Sequence, residues 1–351
     1  MSQSHRYLPC AVLLLLVSGA LVLPFGAKAV SCKTQSQMTT AERGELSSAA
    51  HAMVGDVQRG DVQALRVNTI PEVATDFAGI ASSVDSLRPL VQQAAITIDS
   101  LYALDSSSDP VKTARADFYC GSPVVVLNFN NLPPGRYALV ILHATGVAQP
   151  QQISLILSET ADHRWMLGGF YSTPMTEAGH DGVWYWASAR KYAQRGMNLD
   201  AWLYYQVAAN SLDPVKFLSS PNLEKLRHES DLVRPESLPG TKPLMLSAAG
   251  SVFQVTALET TAIFGALDLE VHYIPDVAQT AELHDPPTAR KQVTEVMVAL
   301  LALHPELHEA FHGIWVQADQ GSTSIFSLEL PMGQIDSGTK QSAIASSAVA
   351  Q

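Results

Sequence analysis

The chain has 351 residues, 47% of them hydrophobic, and a formal net charge of −11 at pH 7. Its length fits two or three domains, each able to bury a core. Nucleic acids and anionic membrane surfaces attract clustered Lys and Arg, and no basic run is present, so the acidic balance argues against both kinds of partner.

The N-terminal residues have the pattern of a cleaved signal peptide. After a polar start that contains Arg6, the apolar run Ala11–Leu23 is too short to span a bilayer as a helix. Pro24 ends the run, and small residues at positions 27 and 29 fit the places that a signal peptidase reads. The sequence therefore predicts that residues 1–29 are removed on export, leaving a periplasmic or secreted chain without a transmembrane segment.

Three cysteines are present, and Cys10 lies in the predicted signal peptide. Cys32 and Cys120 are then the thiols of the mature chain, and two thiols in an oxidising compartment favour one disulfide. The long loop that it closes adds about 4–5 kcal/mol of stability in the chain-entropy model. The alternative is a lipid anchor on Cys32, because the preceding residues AVS resemble a lipobox. A lipobox normally begins with Leu and directly follows the apolar run, whereas here it begins with Ala29 and a Pro-containing segment intervenes.

Helices are predicted for the first part of the mature chain. Thr39 and Glu42 have the spacing of a capping box, Gly60 is placed to end the helix, and Asp61 is placed to cap a second, short helix. A third helical segment begins near position 71 and is predicted to break at Pro89.

Strands are predicted next, because the hydrophobic pattern changes to period two between turn-forming residues. Helices followed by adjacent antiparallel strands predict an α+β domain over residues 33–176, with a curved sheet that wraps the helices and leaves a cavity at one end. The predicted strands are AITIDSLYAL, PVVVLNF, RYALVILHATG, QQISLILSE and RWMLGGFYS.

This order, with GDVQALR early and QISLILSETADHRWMLGGFY late, resembles the nuclear transport factor 2-like superfamily over about residues 39–174. The resemblance implies a fold that serves ketosteroid isomerases, ligand-binding proteins and domains without activity, so it does not select a function. An isomerase-type site needs a carboxylate in an apolar pocket and a Tyr or acid that stabilises an oxyanion. The candidates, which lie on or beside predicted strands, are Asp99, Asp117, Tyr119 and Tyr137. Because side chains alternate between the two faces of a strand, half of all strand residues point into the interior whether or not they form a site.

Residues 177–234 are predicted to form a helical segment similar to a single tetratricopeptide repeat. Small residues let two helices approach, aromatic side chains fill the gap, and a glycine makes the turn. Because one repeat cannot bury both of its faces, we expect a structural bridge with Trp184 or Trp186 packed against the first domain. The alternative is an exposed aromatic patch that binds a partner. The consensus spacing is matched at Tyr192, Gly196, Ala201, Tyr205 and Ala208.

Residues 241–335 follow a linker-like stretch and are predicted to form a smaller ββαββ domain. In its second strand, Leu269 and Val271 alternate with Asp268 and Glu270, so the strand has one apolar and one polar face. Residues 336–351 are polar and small, which predicts a disordered tail. The whole mature chain is thus predicted to be α+β: N-terminal helices with a curved antiparallel sheet, a central helical hairpin, and the smaller C-terminal domain.

The segment HEAFH, residues 308–312, matches the HExxH pattern, in which two histidines one helical turn apart bind zinc and the glutamate activates water. Three observations count against a catalytic zinc site. Pro305 and Gly313 bracket a short helix, so His312 falls on its last turn. The third ligand has to come from Glu329 on a predicted strand, and the small domain leaves little room for a peptide cleft. The alternative is a solvated helix face formed by His308, Glu309 and His312.

Three functions remain open from the sequence. The hairpin and the fold resemblance favour an exported, non-catalytic protein that binds or scaffolds an unknown protein or a small apolar ligand. The alternatives are a zinc-dependent hydrolase that uses His308, Glu309 and His312, and a small-molecule enzyme that uses the cavity of the N-terminal domain. No cofactor is predicted, because the sequence has no glycine-rich phosphate loop, GxSxG, CxxC or EF-hand pattern, and no residue is assigned as catalytic.

Overall fold

A computed structural model describes residues 30–108, 113–248 and 250–335, and it confirms the α+β class. The predicted signal peptide, residues 1–29, and the predicted tail, residues 336–351, lie outside this described part. None of the helices in the described part is long and apolar enough to cross a lipid bilayer.

The N-terminal helices begin and end where capping chemistry predicts. The Thr39 hydroxyl accepts a hydrogen bond from the Glu42 backbone N–H, and the Glu42 carboxylate accepts one from the Thr39 N–H. Gly60 ends the first helix in the left-handed conformation, which favours glycine, and Asp61 caps the second helix. The helices are α1 (Thr40–Arg59), α2 (Val62–Val67), α3 (Pro71–Ala74) and α4 (Ala78–Val91).

The predicted break at Pro89 does not occur. Pro89 lies in the last turn of α4, where a missing N–H removes only one hydrogen bond near the helix end. The helical segment is interrupted instead between α3 and α4. There the Thr75 hydroxyl donates to the Glu72 carbonyl, so a side chain satisfies a group that the helix leaves unpaired.

The strands of the N-terminal unit form two sheets. The first sheet is antiparallel with the order β1-β2-β5-β6-β7, and β3 pairs with β4 in the second. Helices α1 and α4 cover one face of the first sheet and the second sheet lies against its other face, so both faces are buried. The strands are β1 (Ser31–Thr34), β2 (Ala95–Asp105), β3 (Thr113–Cys120), β4 (Val125–Leu132), β5 (Arg136–Thr145), β6 (Gln151–Glu159) and β7 (Trp165–Pro174).

The predicted disulfide is confirmed. Cys32 in β1 is bonded to Cys120 in β3, with 5.1 Å between their Cα atoms. The bond joins the edge strand of the first sheet to the edge strand of the second. A sulfur in a disulfide is not available for a thioether-linked lipid, so this structure does not support the lipid-anchor alternative at Cys32.

A helical segment follows the first sheet. Its short β8–β9 hairpin leads into two antiparallel helices, and a third helix packs on them. Its last strand pairs with β4 and so extends the second sheet of the N-terminal unit. The elements are β8 (Thr176–Glu177), β9 (His180–Asp181), α5 (Gly182–Gln194), α6 (Asn198–Leu212), β10 (Leu218–Ser219) and α7 (Pro221–Val233).

The tryptophans of the hairpin do not pack against the N-terminal unit, which corrects that expectation. The Trp186 indole N–H donates to Glu229 on α7 at 2.7 Å, and its ring lies under the Arg190 guanidinium. Trp184 stacks on His180 with 3.7 Å between ring centroids. Contact with the N-terminal unit comes instead from the end of α6, which lies against β7, and from the chain after it, where Val215 is buried among residues of the two N-terminal sheets.

The C-terminal unit is a five-stranded sheet with the order β11-β12-β13-β14-β15. Only the β13–β14 pair is parallel, and β11 is an edge strand beyond the predicted ββαββ order. Buried residues of this sheet, of helix α9 and of the α5–α6 hairpin form one continuous hydrophobic cluster. The elements are β11 (Leu244–Ala248), β12 (Ser251–Thr261), β13 (Asp268–Ile274), α8 (Val277–Glu282), α9 (Pro286–Leu303), α10 (Leu307–Ala310), β14 (Gly313–Gln320) and β15 (Thr323–Pro331).

A buried carboxylate lies at the boundary between the hairpin and the C-terminal unit. Asp200, in the first turn of α6, is fully buried, and neither of its carboxylate oxygens has a hydrogen-bond partner among the described residues. Burial, with the negative charges of Glu306 and Glu309, raises the pKa of Asp200 to about 7, although Arg195 acts in the opposite direction. The site therefore favours the neutral acid.

Removing the disulfide should lower stability measurably. The bond spans 88 positions of sequence, so the double variant Cys32→Ala/Cys120→Ala should lose about 4–5 kcal/mol of unfolding free energy by the chain-entropy argument. Urea denaturation followed by circular dichroism measures this loss. Wild-type protein in a reducing buffer is the matched control and should behave like the variant. Equal urea midpoints for the oxidised wild type and the double variant would contradict the prediction.

The Asp200→Asn variant should be more stable than the wild type at pH 8. The pKa of Asp200 is higher in the folded than in the unfolded chain, so wild-type stability falls as pH rises from about 4 to about 7. The variant lacks this loss, which amounts to at most about 4 kcal/mol. Urea midpoints at pH 4 and pH 8 measure the difference, which should appear at pH 8 only.

Asp213→Asn is the matched control for that experiment. Asp213 is also buried, but Arg227 lies 3.0 Å from its carboxylate. Breaking a buried ion pair destabilises a protein, so this variant should be less stable than the wild type at pH 8. If both substitutions stabilise the protein at pH 8, the gain does not come from removing a buried carboxylate that lacks an ion pair, and the prediction for Asp200 is wrong.

Candidate metal centre

Three potential metal ligands meet at one edge of the C-terminal sheet. Asp268 is the first residue of β13, His312 immediately precedes β14, and Glu329 lies near the end of β15. Because β13 and β14 are parallel and in register from the Leu269–Ile314 pair onwards, their starting residues lie side by side. Antiparallel β15 brings Glu329 back to the same edge, opposite Trp315. One atom from each of the three side chains lies within 4.8 Å of the others.

Gly313 makes room for this cluster. It lies between β13 and β15 on the sheet face from which Asp268 and Glu329 project. A Cβ atom at this position would come within 2.7 Å of the Glu329 carboxylate, 2.8 Å of the Leu330 carbonyl and 3.0 Å of the Asp268 carboxylate. Only a residue without a side chain lets the two carboxylates approach across the strand.

The cluster holds more negative charge than its hydrogen bonds neutralise. Asp268 is fully buried, and its Oδ2 atom and the buried Oε1 atom of Glu329 have no hydrogen-bond partner among the described residues. Burial raises the pKa of Asp268, although hydrogen bonds from His312 and the Gly313 backbone oppose this effect. Burial also raises the pKa of Glu329, and the neighbouring charge of Asp268 adds to it. Unpartnered buried oxygens of this kind need a proton or a cation.

An imidazole completes the cluster on its solvent side. Nδ1 of His312 lies 3.2 Å from Oδ1 of Asp268, and about half of the His312 side chain is exposed. Two carboxylates and one imidazole are a suitable ligand set for a divalent transition-metal ion. Zinc ligands at about 2.0–2.2 Å from the ion are about 3.4 Å apart in a tetrahedral site. The distance between any two of the three ligand atoms therefore has to shorten by no more than about 1.5 Å.

The structure corrects the ligand set that the HExxH pattern suggests. Helix α10 has only four residues and ends at Ala310, so His312 lies beyond it, at a bend directly before β14. His308 lies outside the cluster, with Nδ1 3.1 Å from the Pro305 carbonyl. Both carboxylate oxygens of Glu309 accept hydrogen bonds from Arg195. Of the predicted residues, His312 and Glu329 are brought together, while His308 and Glu309 are not.

Asp268 is the potential ligand that the sequence analysis missed. Its alternation with apolar residues in β13 assigned it to the polar face of a strand. Its proximity to His312 depends on a parallel pairing between strands that are distant in the sequence. The available signal was an acid at the first position of one apolar strand and a His-Gly pair at the start of another.

The four candidates of the N-terminal unit do not converge. Asp99 is exposed and accepts from the Ser100 hydroxyl, whereas Asp117 is paired with Arg115 in the second sheet. Tyr119 is exposed beside the disulfide, and Tyr137 donates to the Pro133 carbonyl. The opening between α4 and the β5–β6 turn is lined by residues without titratable side chains: Pro89, Leu90, Gln92, Gln93, Gly146, Val147, Ala148 and Gln149.

A second polar cluster lies further along the same face of the C-terminal sheet. His272 is placed between Asp319, at 2.8 Å from Nδ1, and Glu270, at 3.2 Å from Nε2. Hydrogen bonding to Glu270 and to Asp319 raises the pKa of His272 to about 9, although burial opposes it. Both ring nitrogens are engaged by carboxylates, so this histidine is a charged structural group and not an available metal ligand.

Comparison of the chain with protein-family models, with curated proteins and with solved structures finds no match in any of the three. The resemblance to the nuclear transport factor 2-like superfamily and to a tetratricopeptide repeat therefore stays a prediction.

Replacing Gly313 with Ala should disrupt the cluster. The added methyl group overlaps both carboxylates and the Leu330 carbonyl, and overpacking of this kind costs about 1–3 kcal/mol of unfolding free energy. Thermal or urea denaturation measures the loss. The matched control is Gly240→Ala, because a Cβ at Gly240 meets no atom within 4 Å and should change stability little. Equal stability of both variants would mean that Gly313 is not sterically required.

Proposed function

We propose that this chain is an exported binding protein whose C-terminal unit holds a divalent transition-metal ion through Asp268, His312 and Glu329. The observation that carries the proposal is a pair of carboxylates that meet above Gly313 beside an imidazole, each with one buried oxygen that has no hydrogen-bond partner among the described residues. A divalent cation there would neutralise both carboxylates and would use the lone pairs that the protein leaves unpaired.

The ligand types favour a particular class of ion. Calcium takes six to eight oxygen ligands and magnesium keeps most of its water, whereas imidazole nitrogen favours zinc and its neighbours in the first transition series. No cysteine belongs to the cluster, so the soft ion Cu(I) lacks the thiolate that it prefers. Zinc is therefore the appropriate first probe, with manganese as the comparison.

Export is supported by chemistry elsewhere in the chain. The Cys32–Cys120 disulfide forms and persists in oxidising compartments, and the sequence of residues 1–29 has the pattern of a signal peptide. The first unit then serves as a covalently braced support, and binding is assigned to the C-terminal sheet.

A hydrolytic metal centre is the second candidate, because three protein ligands beside a half-exposed imidazole leave coordination positions open to water. Such a centre also needs a base to activate that water. Hydrogen bonding from Arg195 lowers the pKa of Glu309, which makes this carboxylate a weaker base. The structure therefore favours binding over hydrolysis by the HExxH route.

Titration calorimetry with zinc tests the proposal on protein that carries no histidine tag. We expect one ion per chain, and at least about tenfold weaker binding in each of the variants Asp268→Asn, His312→Ala and Glu329→Gln, since even residues that only support ligands contribute 10- to 100-fold. Millimolar magnesium should not compete with the zinc.

The matched control is His308→Ala, which removes the histidine that the HExxH pattern predicts and the cluster does not use. It should keep the affinity of the wild type. Binding that survives His312→Ala, or binding that is lost in His308→Ala, would contradict the assignment of ligands. Absence of stoichiometric binding by the wild type would contradict the proposed function itself.

A further inference from the structure

The three proposed ligands differ in how firmly the fold holds them. Asp268 belongs to β13, which is paired with a neighbouring strand on each side. Glu329 belongs to the edge strand β15, which is paired with β14. His312 instead ends the segment 304–312, which contains only the four-residue helix α10. About half of its side chain is exposed, so burial of the ring does not fix its position. The geometry of the site therefore depends on what holds this segment.

The sheet holds the segment at one end. The His312 backbone N–H donates to the Leu267 carbonyl, and the His312 carbonyl accepts from the Met332 N–H, both at 2.9 Å. These two bonds fix the end of the segment where it enters β14. They do not restrain α10, which approaches His312 from the direction of the helical hairpin.

The α5–α6 hairpin holds the residues just before His312 through two side chains. Arg195, at the end of α5, forms a bidentate ion pair with Glu309. Tyr204, which is buried in α6, donates its hydroxyl to the Ala310 carbonyl at 2.6 Å. The Tyr204 ring also meets the Phe311 ring edge-on, with 5.8 Å between centroids. The hairpin thus contacts each of the three residues directly before His312.

We infer that Arg195 and Tyr204 are positioning residues for the metal centre, and that the single repeat-like hairpin serves to fix His312 in the ligand position. The inference rests on the proposed metal-binding function. Neither residue is a ligand. Each acts by increasing the fraction of molecules in which His312 already stands beside Asp268 and Glu329, and apparent affinity is proportional to that fraction.

The two contacts should differ in size. The Arg195–Glu309 pair is half-exposed at both partners, and ion pairs of that kind are weak and sensitive to salt. The Tyr204 hydrogen bond is buried, and losing it leaves the Ala310 carbonyl without this donor. We therefore expect Arg195→Gln to weaken zinc binding about two- to fivefold and Tyr204→Phe about three- to tenfold.

The hairpin supplies its own matched controls. Arg190 forms the same kind of bidentate ion pair, but with Glu229 on α7. Tyr205 also donates its hydroxyl to Glu229. The controls Arg190→Gln and Tyr205→Phe therefore remove equivalent groups from the same helices without touching the segment before His312. Zinc affinity is measured for all four variants by competition with a chromophoric chelator, and the melting temperature of each zinc-free variant is measured in parallel.

The expected result is a loss of zinc affinity in Arg195→Gln and Tyr204→Phe only, whatever the four melting temperatures are. Arg195→Lys should bind zinc more tightly than Arg195→Gln but less tightly than the wild type, because it keeps the charge but not the bidentate geometry. If Tyr204→Phe folds poorly, the exposed Arg195 pair still provides the test. Equal affinities in all four variants, with the wild type binding zinc, would overturn the positioning role and leave the metal site intact. A wild type that binds no zinc would overturn the proposed function first.

Discussion

The parallel pairing of β13 with β14 is the constraint from which the C-terminal unit follows. Parallel strands cannot be joined by a tight turn, so a crossover containing α8, α9 and α10 connects them. The same pairing places the first residues of both strands at one edge of the sheet, which brings Asp268 next to His312 and Gly313. The crossover has to return to that edge, and its last segment runs beside the helical hairpin. The cluster and its contact with α5 and α6 therefore have a single topological cause.

Local chemistry made a large part of the N-terminal unit predictable. The capping box at Thr39, the helix end at Gly60 and the cap at Asp61 each depend on residues a few positions apart, and all three form. The five predicted strands also form, because alternation is a local signal. Strands β1, β3 and β11 were missed, as were the two-residue strands β8, β9 and β10. Strand β1 is short, β3 carries mixed polar residues, and β11 lies directly after a Pro- and Gly-containing stretch that suggested a linker.

The candidate site was predictable only in part, for a different reason. His312 and Glu329 were named from a helical motif and a nearby acid, but the motif has the wrong geometry, because α10 ends at Ala310. Asp268 replaces His308 as the neighbour of His312. That replacement depends on strand register across more than forty residues, and no local pattern reports it. A single sequence predicts the types of side chain near a site better than it predicts which of them meet.

The hairpin was also predictable only in part, because its local packing follows from nearby residues and its neighbours do not. Its two helices pack as the small and aromatic residues suggest, yet the surfaces that it covers were not foreseeable. Its aromatic side chains belong to the cluster shared with the C-terminal sheet. The N-terminal unit is contacted by the end of α6, which lies against β7, and by the chain after it, where the Ser154 hydroxyl donates to the Pro214 carbonyl. The hairpin therefore shares its core with the C-terminal sheet and contacts the N-terminal unit only near its end.

The disulfide also decides how the N-terminal unit responds to mechanical force. A pull on the chain ahead of Ser31 would otherwise peel β1 from β2 one hydrogen bond at a time, since β1 is a short edge strand. The covalent bond at Cys32 passes that tension directly to Cys120, at the end of β3. The load then falls on β3 and its pairing with β4 as well as on β1. Peeling of β1 alone stops at its second residue, and the two sheets have to resist a force applied at that end together.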